Sequence, residues 1–300
     1  MSAPDLNRLG TEARNPRTTD LDTMSPLALV RAMNAEDGVA VAAVERALPQ
    51  VAMAIEAVAE RMARGGRLIY LGAGTSGRLG ILDAVECRPT FSVPDGVVVG
   101  LIAGGEGAIL RAVEGAEDSP TQGAADVQRL AVGEADSVVG IAASGRTPYV
   151  LGALDAARAV GALTIALACT EGAEIAMRAD LGIELVVGPE VLTGSTRLKA
   201  GTATKLVLNM LSTGVMAQLG KCFENLMVDV QASNEKLRAR ARRIVAQASG
   251  LDEPAAGELL ARCAGEVKTA IVAARRSLTP EAARAVLHAV GGRVRAALEP

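Results

Sequence analysis

The 300 residues suffice for one large domain or two ordinary ones. Half are apolar and 22% charged, which excludes a disordered chain, and the 32 glycines show no collagen-like three-residue period. Net charge is −3, and the aromatics are two Tyr and two Phe with no Trp, so neither the basic patch nor the stacking platform of a nucleic-acid binder is visible.

The mean hydropathy of +0.28 comes largely from Ala and Val. The uncharged stretch between Lys205 and Lys221 contains Asn209, Ser212, Thr213 and Gln218. A membrane span needs about 20 mostly apolar residues, so this stretch is expected to be a buried core helix. Asp5, Arg8 and Glu12 precede any apolar run, and no signal peptide is expected. Cys87, Cys169, Cys222 and Cys263 are scattered, without a CxxC or a nearby His, as in buried thiols of a reducing compartment. These features predict a soluble cytoplasmic protein with no membrane or nucleic-acid partner.

In chain order, residues 1 to about 23 read as a polar arm broken at Asn15-Pro16. Ser25-Pro26 starts a helix, and 39–64 forms another, ended by Gly65-Gly66. Short apolar runs then alternate with helices. Strands are predicted at 67–71, 96–103, 137–142, 163–168 and 181–187, and helices at 75–87, 108–117, 124–131, 148–160 and 196–219. Strands apolar throughout are buried on both faces, and βαβ alternation implies a parallel sheet between helices. From about Ser233 onward only helical patterns remain, separated at 250–254, 279–280 and 291–292. The fold class is therefore α/β, with N-terminal helices and a small C-terminal helical module.

The first strand runs into Gly72-Ala-Gly74-Thr75-Ser76-Gly77-Arg78, formally a G-x-G-x-x-G. A dinucleotide site also needs an acidic residue closing the next strand, whereas that strand ends Ile102-Ala-Gly-Gly105. Ala143-Ser144-Gly145-Arg146-Thr147 echoes the first loop 68 residues later. Two such loops at helix starts supply the N–H groups and hydroxyls that a monophosphate requires. Arg78 and Arg146 read either as phosphate or carboxylate contacts or as surface charges. Thr193-Gly-Ser195-Thr196-Arg-Leu-Lys199 is a third hydroxyl-rich helix start, where Ser195 or Thr196 caps the helix or joins the site. Glu86, among apolar neighbours, and Glu117 are candidate acid and base, since a carboxyl in an apolar site has a raised pKa. His288 is the only His and lies in the terminal segment, which removes His-based triads and makes His metal sites improbable.

The runs GRLIYLGAGTSGRLGILDAVEC (66–87), GIAASGRTPYV (140–150), GPEVLTGSTRLKAGTATKLVLNMLSTG (188–214) and NLMVDVQASNEKL (225–237), with TEARNPRTTDLD (11–22), resemble the N-acetylmuramic acid 6-phosphate etherases. The 188–205 segment is also similar to the glucokinase regulatory proteins. The resemblance covers 11 to about 245. It implies an N-terminal region of 1–57, a sugar isomerase (SIS) α/β sandwich over 58–221 and a helical region over 222–300. It further implies a cytoplasmic, homodimeric lyase of cell-wall recycling without metal or organic cofactor, acting on N-acetylmuramate 6-phosphate. The family's two catalytic glutamates fall on Glu86 and Glu117. The phosphosugar-binding residues expected from the loops are Gly74, Thr75, Ser76, Gly77, Arg78, Ser144, Gly145, Arg146, Thr147, Ser195 and Lys199. Arg88 stands where the family usually has Pro; facing the pocket it would lower the pKa of Glu86, and it is expected to point outward. A phosphosugar isomerase or a non-catalytic regulator on the same fold remains the alternative; a glycoside hydrolase would not need phosphate loops.

Overall fold

The five apolar runs form a parallel sheet: β1 (Leu68–Gly72), β2 (Val98–Ile102), β3 (Ser137–Ala142), β4 (Leu163–Ala168) and β5 (Leu181–Glu184). The order is β2-β1-β3-β4-β5. Every residue of the central strands β1, β3 and β4 is buried, whereas edge strands β2 and β5 are partly open. This is why the central strands lack a polar face. The chain leaves β1 toward β2 and returns to place β3 on the other side of β1, in parallel register with Leu71 opposite Gly140. That reversal is a topological switch point, where ligands bind beyond the carboxyl ends of the strands in open α/β sheets.

The computed structural model describes residues 10–230 and 234–299. It contains two compact units, Met1–Val85 with Gly96–Ser212, and Glu86–Asp95 with Thr213–Pro300. The first holds the sheet, preceded by α1 (Pro26–Arg46) and α2 (Leu48–Ala63). The predicted helix over 39–64 is thus divided at Ala47. Pro49 in the first turn of α2 has no N–H to continue the ladder of α1.

Helices cover both faces of the sheet. α3 (Gly74–Phe91) packs its Gly80 against Tyr70 and its Ile81 against Gly100, closely enough that a Cβ on either glycine would clash. α8 (Lys199–Gln218) meets α3 through Asp83, which accepts from Tyr70 at 2.9 Å, Asn209 at 2.8 Å and Ser212 at 3.1 Å. The opposite face, with Ile69, Leu71 and Val138, carries α5 (Pro120–Arg129), α6 (Pro148–Ala159) and the short α7 (Glu174–Arg178). Where α5 crosses α6, a Cβ on Gly123 would sit 2.0 Å from the Tyr149 carbonyl, and one on Gly152 would sit 2.0 Å from that of Pro120. Only paired glycines allow two helix backbones this close. The predicted helix over 108–117 shrinks to α4 (Gly107–Leu110) and a 3-10 turn at Ala116–Asp118, because Gly115 stands between them at φ +72°.

The expected arm is docked where it is described. Thr11, Asn15 and Thr18 are buried, with 3-10 turns at Pro16–Thr18 and Leu21–Thr23.

Among its described residues the second unit has, besides the ends of α3 and α8, a two-residue antiparallel pair, β6 (Cys222–Phe223) and β7 (Leu226–Met227), and the helices α9 (Glu235–Ser249), α10 (Glu253–Arg262), α11 (Val267–Arg276), α12 (Pro280–Ala289) and α13 (Val294–Leu298). Asn234, Asp252 and Thr279 cap three of them, each accepting a backbone N–H. The expected start near Ser233 and part of the 225–237 motif lie outside the described residues. Among the described residues no single helix is long and apolar enough to cross a membrane.

Candidate active site

The loops after β1 and β3 meet at the switch point. Gly72 and Gly77 fold the first loop onto itself; a Cβ on Gly77 would lie 2.7 Å from the Gly72 carbonyl. A cavity of about 220 Å³ is lined by Gly74, Thr75 and Ser76 from the first loop and by Ser144 and Thr147 from the second. Thr196, Gly201 and Thr204 from the start of α8, together with Glu12 and Glu117, complete the wall. α3 begins at Gly74, so Thr75 and Ser76 lie in its first turn, and α6 begins at Pro148, directly after Thr147. The free N–H groups and dipole of a helix's first turn favour an anion, and the four hydroxyls of the two loops add neutral donors. No Lys or Arg lines this cavity among the described residues.

The start of α8 is fixed from within. Glu190, fully buried, accepts from the backbone N–H of Ala200 at 2.9 Å and of Lys199 at 3.1 Å. Burial pushes its carboxyl above the ordinary range, against the pull of these two N–H groups. Beneath the cavity, burial pushes the Cys169 thiol up to about 12 while Thr204 pulls it down, so it is inert as a nucleophile.

Two family models match the chain: the N-terminal SIS domain of glucokinase regulatory protein over residues 50–158, and the SIS domain over 119–214. The N-acetylmuramic acid 6-phosphate etherase of Brucella anthropi is 55% identical across 98% of this chain and 96% of its own. That of Streptomyces coelicolor is 56% identical across 98% and 94%, and that of Cronobacter sakazakii 54% across 99% and 100%. The chain belongs to the N-acetylmuramic acid 6-phosphate etherase family. Its fold is also that of a phosphoheptose isomerase from Neisseria gonorrhoeae, with a TM-score of 0.50 at 20% identity over 63% of this chain and 97% of the other.

In this etherase-family chain the cavity gathers seven of the residues singled out from sequence: Gly74, Thr75, Ser76, Ser144, Thr147, Thr196 and Glu117. The others sit elsewhere. Arg78 donates to the carbonyls of Ile109 at 2.9 Å and Ala108 at 2.7 Å, fixing the end of α4, and lines a smaller neighbouring cavity with Glu114 and Glu117. Arg146 lines another, which shares Ser144. Gly77 and Gly145 serve loop geometry, and Gly145 accepts from the Ile175 N–H. Ser195 donates its N–H to the Leu192 carbonyl, while its neighbour Thr196 reaches the cavity.

Lys199 is 1% exposed and its ammonium pairs with buried Glu36 at 2.5 Å. Glu86 stands exposed on α3, and so do its apolar neighbours Leu82 and Val85, so the expected apolar surroundings are absent within the chain. Glu117 is exposed as well. Arg88 is exposed and bonded to Asp95 at 2.7 Å. Among the described residues no three His, Cys, Asp or Glu side chains form a metal-ligand set.

Sequence reasoning missed Glu12, Thr204 and Gly201. Glu12 lies in the TEARNPRTTDLD run, whose Thr, Asn and Thr recur every three or four residues, a spacing that suits one buried face.

Proposed function

We propose that this chain is an etherase that cleaves the D-lactyl ether of N-acetylmuramate 6-phosphate, giving N-acetylglucosamine 6-phosphate and D-lactate. The observation that carries the reading is near-complete coverage by etherases at more than half identity, on a chain whose switch-point cavity offers hydroxyl loops and a carboxylate. The Thr75–Ser76 and Ser144–Thr147 loops hold the phosphate within a SIS region of about 58–221.

In the open-chain sugar the C1 aldehyde acidifies the C2 proton. Glu117 takes that proton, Glu86 protonates the lactyl oxygen as its bond to C3 breaks, and water adds to C3 of the unsaturated aldehyde. The two carboxyl roles are interchangeable on this reading. Neither a metal nor an organic cofactor is invoked. Leu82 and Val85 are 47% and 62% exposed on the turn before Glu86, and a second copy of the chain covering them would give Glu86 the apolar surroundings a proton donor needs. The enzyme is therefore taken as a cytoplasmic homodimer of cell-wall amino-sugar recycling.

The test is incubation with N-acetylmuramate 6-phosphate in ¹⁸O-labelled and in deuterated water. Label at C3 of the amino sugar, deuterium at C2 and released D-lactate are expected, with no turnover of the unphosphorylated sugar. Label in lactate without deuterium at C2 would reject elimination, and C1–C2 isomerisation without lactate would point to an isomerase.

A further inference from the structure

The N-terminal segment is strapped down close to the cavity. Asn15 donates its side-chain amide to the Pro189 carbonyl at 3.3 Å, and the Thr18 hydroxyl donates to that of Val191 at 2.9 Å. Arg17 pairs with buried Glu36. These anchors leave Glu12 half-buried in the cavity wall, with its Oε2 so near Gly194 that a Cβ there would stand 3.2 Å away. Among the described residues its carboxylate has no hydrogen-bond or ion-pair partner. A carboxylate offers only acceptor oxygens, so it repels a phosphate and suits an O–H or N–H donor. The cavity is thus chemically two-ended: hydroxyls and helix N-termini for an anion, and a bare carboxylate for donors.

We infer that Glu12 is a positioning residue, accepting hydrogen bonds from the hydroxyl or acetamido N–H groups of the amino sugar while the two hydroxyl loops hold its phosphate. The inference rests on the etherase reading for the identity of the sugar. Glu12 does no proton chemistry; it fixes the direction in which the carbon chain leaves the phosphate, and so which carbon faces Glu117.

The test compares binding of N-acetylglucosamine 6-phosphate and of inorganic phosphate to the full-length wild type, Glu12→Gln and Glu12→Ala by calorimetry. Glu12→Ala is expected to weaken the amino-sugar phosphate at least tenfold, while inorganic phosphate binds as tightly or more tightly, because a negative charge has gone. Glu12→Gln keeps the volume and one acceptor oxygen and is expected to fall between. In turnover, KM should rise more than kcat falls. Unchanged affinity for the amino-sugar phosphate overturns the inference, and so does a parallel loss of both ligands, which is the signature of a merely structural wall. A wild type that binds N-acetylglucosamine 6-phosphate but releases no D-lactate from N-acetylmuramate 6-phosphate breaks the etherase reading instead.

Discussion

The two units bury different chemistry. In the sheet unit the interior holds Glu36, Lys199, Asp83, Glu190, Asp126 and Asp136, along with several Thr, Ser and Asn side chains; among the described residues of the helical unit the buried polar or charged ones reduce to Thr269. The helical core is otherwise Ala, Val, Ile and Leu with Phe223 and Cys263. Apolar packing alone therefore suffices to build a small helical fold. Buried charge is costly unless paired, and ion pairs often add little stability over apolar replacements. Its concentration in the unit that carries the cavity indicates a positional role: Glu36 holds Lys199 and Arg17, Glu190 holds the start of α8, and Asp83 holds α3 against α8.

The contrast breaks most visibly at Lys199. Lys199→Met leaves buried Glu36 with Arg17, whose side chain is 62% exposed, as its ion-pair partner, and is expected to cost about 3–5 kcal/mol in denaturant unfolding followed by circular dichroism. Glu36→Leu on the same background should restore most of that loss. Ile271→Val removes one methylene from the fully buried face of α11 and should cost only about 0.5–1.5 kcal/mol by the same measurement. If the two single variants lost equal stability, the contrast between the interiors would disappear.

The smallest effect is in pH. Burial pushes the Glu36 carboxyl up, but the hydrogen bonds from Lys199 and Arg17 outweigh it and hold the group below the ordinary carboxylate range. The folded chain then binds fewer protons there than the unfolded one. The stabilisation is complete above the ordinary range and is lost as pH falls through the folded value. The stability gap between wild type and Glu36→Gln should therefore narrow on acidification; a gap constant from neutral pH into acid would refute the assignment.

The strands were legible because a strand buried on both faces needs no polar alternation, and 137–142 and 163–168 match residue for residue. The hydroxyl loops were legible because β1 and β3 are neighbours and both run directly into helices. Lys199 was not. Beside Arg197 in a hydroxyl-rich helix start it looks like an anion contact, and its partner Glu36 lies 163 residues away, brought to it only by tertiary folding. The surroundings of Glu86 differ from expectation for the opposite reason: Leu82 and Val85 are apolar in sequence yet open in the chain. Glu12 was hidden because the N-terminal run has no periodic apolar residues, and its Thr–Asn–Thr spacing reads as a docked face only once its partners at 189–191 are placed.

Glu190 has a consequence for the orientation of whatever enters the cavity. Three helix starts, those of α3, α6 and α8, adjoin it, and each has the electrostatics to attract an anion. At α8 the seat is already taken by a side chain of the protein itself, whose carboxyl oxygens occupy the N–H groups of Lys199 and Ala200. A guest with one phosphate is thereby denied the α8 end and must settle toward β1 and β3. A ligand that could otherwise bind in two opposite registers is left with one, so the selectivity for which bond is presented begins with a vacancy the protein has filled on its own account.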